Sequence, residues 1–199
     1  MTLTTLFAML SFSLAMSISP GPVNMMIISS GINHGVKKTM PFVSGATIGF
    51  TLLLVLIGFG LMNIINLYPF LLSFMEIAGA VFIIYMGYKI ATSITYLSVQ
   101  NSNKKTLKFY EGFLLQWLNP KAWIACVSGV SMFVSSDGTF LVFVIMYFIV
   151  CYLSLSFWGI LGQKATRFLN TPTKLKAFNI IMGAILIFSA SSLIAIKMI

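Results

Sequence analysis

The chain has 199 residues, of which 59% are hydrophobic and 8% charged, with a formal net charge of +9. Soluble domains carry roughly 25% charged residues, so a water-soluble fold of this size could not cover so much apolar surface, and the class implied is a membrane protein. The positive charge does not read as a nucleic-acid surface, which needs basic residues gathered on one solvated face. Here they form islands between apolar runs, at Lys37 and Lys38, at Lys104, Lys105 and Lys108, and at Lys164, Arg167, Lys174 and Lys176.

A spanning helix takes about 20 mostly apolar residues. In chain order, such runs cover residues 4–32, 40–65, 69–96, 111–134, 139–162 and 177–196. They predict an all-α, polytopic membrane protein with six transmembrane helices in a single membrane domain, residues 1–199. The first run opens as MTLTTLFAMLSFSLAM, with no Lys or Arg ahead of it and no small-residue cleavage site, and is read as a retained span rather than a signal peptide. The basic islands occupy alternate connections, which the positive-inside rule assigns to the cytoplasm. Both termini and the turns at Asn66 to Pro69 and Ser135 to Gly138 are then expected outside, in a multi-pass membrane protein.

Two of the runs are interrupted, by SISPGPVNM (Ser17 to Met25) and by QWLNPKAW (Gln116 to Trp123). Proline inside a helix removes an amide donor and clashes with the carbonyl four residues back, which frees the carbonyls of Met16 and Ile18 in the first run. Broken backbone at membrane depth is tolerated only where it is buried in protein or lines a cavity. At a rise of ~1.5 Å per residue, Gly21 lies ~17 Å and Asn119 ~12 Å from the cytoplasmic ends of their helices, so the two breaks can meet. An odd number of spans on each side of the central basic loop sets the halves in opposite orientation, and each half opens with a broken span. That suggests a 3+3 inverted repeat of the kind found in secondary transporters.

A helix restarting at Pro22 or Pro120 turns free amides and the positive end of its dipole toward the break, where a carboxylate can be held. The freed carbonyls, with Asn24, Gln116 and Asn119, can take an ammonium. A zwitterionic amino acid matches both, so the expected substrate-binding set is Pro20, Gly21, Pro22, Asn24, Gln116, Asn119, Pro120 and Lys121, with Tyr85 beside the breaks. Lys121 sits in apolar surroundings where a charge is costly. It reads as a carboxylate ligand or as a lysine snorkelling to the interface, and Asn119 reads as a ligand or as a helix cap.

Glu76, an acid inside a span, is the proton-coupling candidate, the alternative being an interfacial acid facing headgroups. Glu111 is expected to be a solvated first-turn acid. Gly45, Gly49, Gly79 and Gly87, with Gly58 and Gly60, read as helix-packing positions. Tyr85 is divided between the cavity and an interfacial anchor, while Tyr88, Trp117 and Trp123 read first as anchors. His34 is expected to be a solvated loop residue. Cys126 and Cys151 stand in apolar runs away from the breaks, without Cys-x-x-Cys spacing, and are expected to be small buried residues. No metal site or cofactor is indicated.

Four patches together carry a family resemblance: SPGPVNM (Ser19 to Met25), SGATIGFTLLLVLIGFGL (Ser44 to Leu61), IAGAVFIIYMGYK (Ile77 to Lys89) and EGFLLQWLNPKAW (Glu111 to Trp123). In order and spacing the chain resembles the LysE/RhtB family of amino-acid exporters, and SSGINHGVKKT is similar to the cysteine and O-acetylserine branch. The resemblance implies secondary efflux from cytoplasm to periplasm driven by the proton motive force, with Pro20, Gly21 and Pro22 and Asn119, Pro120 and Lys121 as the matched motifs. The likeness to that branch makes small neutral amino acids the first substrates expected, and an aspartate present near the second span of some basic-amino-acid exporters is missing from TMPFVSGATIG, which weakens the case for lysine or arginine. Homoserine or threonine export is the alternative, and a six-span thiol-redox carrier or a channel is more remote. One His, three acids and two Cys leave little for an enzyme. The expected partners are an amino acid and the bilayer, with a homo-oligomer left open.

Overall fold

The computed structural model describes residues 1–60, 69–92, 106–133, 137–169 and 171–198. Among them the chain is all helical, in eight helices: α1 (Leu3–Ile18), α2 (Pro22–His34), α3 (Val36–Gly58), α4 (Pro69–Ala91), α5 (Phe109–Trp117), α6 (Pro120–Phe133), α7 (Asp137–Ala165) and α8 (Pro172–Met198). The run 4–32 is the bent pair α1 and α2, which turn by 60° at residues 19–21. The run 111–134 is α5 and α6, interrupted at Leu118 and Asn119. By length and composition α3 and residues 138–165 of α7 can each cross a membrane alone, and α1 with α2 makes a third crossing when the pair is taken as one broken span.

Proline sets where several helices begin. Pro22, Pro69, Pro120 and Pro172 each occupy the first helical position, where the missing amide would have had no intrahelical partner and the fixed φ already suits the helix. The α1 start is capped by Thr2, whose Oγ1 accepts from the Thr5 amide at 3.2 Å. Between α2 and α3 the chain turns at Gly35 with φ +79°, a value that disfavours any side chain. The Val36 amide that follows is held at 2.7 Å by Gln163 Oε1 of α7.

Glycine brings helix backbones into direct contact. A Cβ added at Gly45 would fall 1.9 Å from the Phe109 carbonyl oxygen, at Gly49 2.8 Å from that of Phe113, and at Gly112 2.2 Å from that of Phe42, so α3 and α5 meet backbone to backbone. The α4 and α8 pair is reciprocal: a Cβ on Gly87 would approach the Gly183 oxygen to 2.9 Å, and one on Gly183 the Gly87 oxygen to 2.4 Å. Gly31 and Gly162 serve α2 and α7 in the same way, and Gly79 lets α4 reach the Leu118 oxygen at the second break. Lipid gives no hydrophobic drive for helices to associate, so close van der Waals contact of this kind supplies much of the cohesion.

Large apolar residues such as Phe7, Leu14, Ile77, Val81, Leu141 and Leu153 are exposed on the outside of the bundle, as a bilayer solvent requires. Inside, Phe12, Phe133, Phe143 and Tyr147 form an aromatic cluster, with Phe12 to Phe133 at 5.5 Å, Phe143 to Tyr147 at 5.6 Å, and Phe50 on Tyr147 at 4.5 Å between ring centroids. It fills the bundle on the side of the breaks toward the α1 amino terminus.

Glu111 departs from its expected solvated role. It is buried, with one carboxylate oxygen 2.5 Å from Lys89 Nζ of α4 and the other accepting the Lys108 amide at 2.8 Å. The reason is tertiary. The Gly45 and Gly112 contact draws the start of α5 into the bundle, where a first-turn acid needs a cation rather than water.

Candidate transport site at two helix breaks

The first break leaves a turn of carbonyls without helical donors, and each of these finds another. Met16 O accepts from Ser19 Oγ at 3.3 Å, Ser17 O from Asn24 Nδ2 at 3.0 Å, Ile18 O from Trp158 Nε1 at 3.1 Å, and Ser19 O from Lys121 Nζ at 2.5 Å. An unpaired carbonyl in hydrocarbon costs several kcal/mol, on the order of 2–7, so this set is what allows the chain to break here. The carbonyls of Met16 and Ile18, expected to be open to a ligand, are therefore engaged by the protein's own Ser19 and Trp158.

The second break is stabilised along similar lines. Asn119 Oδ1 accepts the Lys121 amide at 3.2 Å, and its backbone oxygen accepts the Ala122 amide at 2.9 Å, so Asn119 caps α6. Trp117 O accepts Trp123 Nε1 at 2.7 Å. Trp123, read first as an interfacial anchor, thus closes the carbonyl left open at the end of α5.

Lys121 joins the two breaks. Its stem crosses Gly21, where an added Cβ would stand 3.1 Å from Lys121 Cδ, and its ammonium reaches Ser19 O. Gly21 has an extended backbone, so the absence of a side chain there makes room for the lysine rather than for a turn.

Around this contact lies a cavity of about 30 Å³ whose wall includes Ser17, Asn24, Gln116, Asn119, Lys121, Tyr147 and Cys151. One water needs roughly 10–15 Å³ on this scale, so the space holds two or three waters and no amino acid in this conformation. Of the residues expected at the site, Asn24, Gln116, Asn119 and Lys121 come together on its wall. Gly21 lies under the lysine, while Pro20, Pro22 and Pro120 shape the breaks without lining the space. Tyr85 does not reach it; the ring is exposed in a groove between α4 and α5. Glu76 belongs to α4, but its side chain lies outside the described residues.

Three wall residues carried no local signal in the sequence. Ser17 is a buried serine one turn before the break, Tyr147 lies in the apolar α7, and Cys151, expected away from the breaks, faces the same space one turn further on. The Cys151 thiol neighbours the hydroxyls of Ser17 and Thr47, neither of which makes a well-formed hydrogen bond. Cys126 and Cys151 are both buried free thiols.

Among the described residues the wall therefore offers one cation, three side-chain amides, a hydroxyl, a phenol and a thiol, and no acid. A family model described as LysE type translocator matches residues 14–196, a stretch that contains both breaks. The chain is similar to the cysteine/O-acetylserine efflux proteins of Escherichia coli (strain K12) and Shigella sonnei (strain Ss046). Each is 26% identical over 194 residues, covering 96% of this chain and 97% of the relative. No solved structure matches. The chain belongs to the LysE-type translocator family and is thus a membrane transporter rather than an enzyme.

Proposed function

We propose that the chain exports small neutral amino acids or their derivatives, of the cysteine and O-acetylserine kind, from cytoplasm to periplasm, driven by the proton motive force. The observation that carries this reading is Lys121, which reaches from one break to the Ser19 carbonyl of the other inside a wall of amides. In the loaded state its ammonium takes the substrate carboxylate. The amide oxygens of Asn24, Gln116 and Asn119 then accept from the substrate ammonium. With no acid among the described residues of the wall, a second positive charge on a basic side chain finds no partner there, which favours neutral substrates. The efflux activity named for the similar proteins agrees with that preference.

The membrane arrangement proposed is six spans in one domain with both termini periplasmic: α1 with α2, α3, α4, α5 with α6, α7 and α8. A 3+3 inverted repeat would pair the two broken spans, α3 with α7, and α4 with α8. The reciprocal contact of Gly87 and Gly183 is what a two-fold axis between α4 and α8 would produce. On this arrangement the cluster of Phe12, Phe133, Phe143 and Tyr147 closes the periplasmic side and parts for release, with Glu76 as the coupling acid.

The test is a panel of amino acids in an export-deficient strain, scored as resistance and extracellular accumulation, with counterflow in proteoliposomes. Saturable counterflow of small neutral amino acids is expected, lost in Lys121→Ala and Pro120→Ala proteins that still insert. Unchanged flux in both variants would remove the site from the breaks, and export confined to homoserine or threonine would reassign the substrate.

A further inference from the structure

Two further cavities adjoin the Lys89 and Glu111 pair. One, of about 50 Å³, is lined by Ser29, Ser30, Asn33, His34 and Lys89. The other is a groove of about 390 Å³ between α4 and α5, lined by Tyr85, Tyr88, Lys89, Lys108, Tyr110 and Glu111. Lys89 belongs to the walls of both. The central cavity at the breaks holds only about 30 Å³, so of these three spaces the groove alone admits an amino acid in this conformation.

We propose that the Lys89 and Glu111 pair is a second amino-acid site, a vestibule in which the pair opens and each member binds the opposite charge of a zwitterion. This rests on the amino-acid export reading above and adds a loading step before the breaks. The substrate carboxylate takes the place of Glu111 on Lys89, and the substrate ammonium takes the place of Lys89 on Glu111. One ion pair is exchanged for two, and the net charge of the site is unchanged. Glu111 is held ready for this, because its second oxygen stays on the Lys108 amide at 2.8 Å. The side chains are 28% and 9% exposed for Lys89 and Glu111, so the exchange takes place at the edge of water rather than in a sealed interior. As a mere fastening of α4 to α5, a pair at this depth would add little over an apolar contact. Its charges are better explained by recognition.

Along α2, Asn24 stands on the wall of the central cavity, while Ser29, Ser30 and Asn33 stand on the wall of the cavity that shares Lys89. Asn24 and Ser29 are ~7.5 Å apart along the helix axis and about 140° apart around it, so α2 separates the two cavities.

The test is the binding stoichiometry of radiolabelled L-cysteine, kept reduced, on the full chain in lipid nanodiscs. The variants are Lys121→Ala and the double change Lys89→Met with Glu111→Gln. The double change removes both charges without orphaning either, and the Gln oxygen can still accept the Lys108 amide. The expected result is two cysteines per chain in the wild type and one in each variant. In vesicles the double variant should need about ten-fold more substrate at the cytoplasmic face for half-maximal export, with the maximal rate kept, as expected for losing a charge-assisted contact. Two cysteines still bound by the double variant would overturn the vestibule, and so would a single wild-type cysteine lost in Lys121→Ala alone. No cysteine bound by any form would overturn the substrate reading and the vestibule with it.

Discussion

Replacing Gly45 by alanine tests the close contact on which the position of the second break depends. The added Cβ would lie 1.9 Å from the Phe109 carbonyl oxygen and 2.7 Å from its carbon, both backbone atoms that no rotamer change can move. An ordinary contact begins near 3.4 Å, so α3 and α5 must separate by the difference, 3.4 − 1.9 = 1.5 Å. Separation on that scale also strains the contacts at Gly49 and Gly112, and overpacking of a well-fitted interface costs about 1–3 kcal/mol. For a chain of this length that corresponds to a fall of roughly 2–12 °C in apparent Tm. The assay is thermal unfolding in detergent followed by size exclusion, with Gly138→Ala as the control, because a Cβ at Gly138 meets nothing within 4 Å. If Gly45→Ala melted together with the wild type and the control, the backbone contact would not exist and the placement of α5 would fall with it.

Other consequences concern the polar network and the proposed coupling acid. Asn179, fully buried on α8, exchanges amide contacts with Asn33 at 3.0 and 3.3 Å; Asn179→Leu should lower stability by about 1–3 kcal/mol in the same melting assay, and Asn33→Leu added to it should recover part of the loss. Trp158→Phe keeps the ring but withdraws the donor from Ile18 O, for an expected cost of about 0.6–1.7 kcal/mol by thermal melting. Glu76→Gln should flatten the pH dependence of export in inverted vesicles, and a retained profile would move the coupling proton to another group.

The breaks were legible because proline acts locally. It removes its own amide and displaces the carbonyl four residues back, so Pro-Gly-Pro and Asn-Pro-Lys announce an interruption wherever they fall in an apolar run. Which groups answer the freed carbonyls was not legible, since Lys121 is 102 residues from Ser19 and Trp158 is 140 from Ile18. The spacing of Gly45 and Gly49 pointed to helix packing, but its partner, the backbone of α5 around Gly112, is a tertiary fact. The same contact changed Glu111 from an expected solvated acid into a buried ion-pair member with Lys89, on a helix whose approach no local pattern describes. Cys151 was assigned to an apolar run and that is where it lies; its facing of the central cavity follows from the crossing of α7 over α1 and α2. Helix ends also shifted, as α3 begins at Val36 rather than at residue 40, because Gly35 makes the turn and the lysines after it sit in the first helical turn.

The account turns on Lys121 reading the substrate carboxylate between the two breaks, and the most direct measurement is a cycle on purified protein in nanodiscs. Binding of L-cysteine and of its methyl ester, which lacks the carboxylate charge, is compared in wild-type and Lys121→Ala chains, each carrying Lys89→Met with Glu111→Gln so that only the central site is read. The account predicts that the charged form is preferred by about ten-fold or more when Lys121 is present, and that Lys121→Ala binds both forms weakly and equally. An unchanged preference in Lys121→Ala would contradict it.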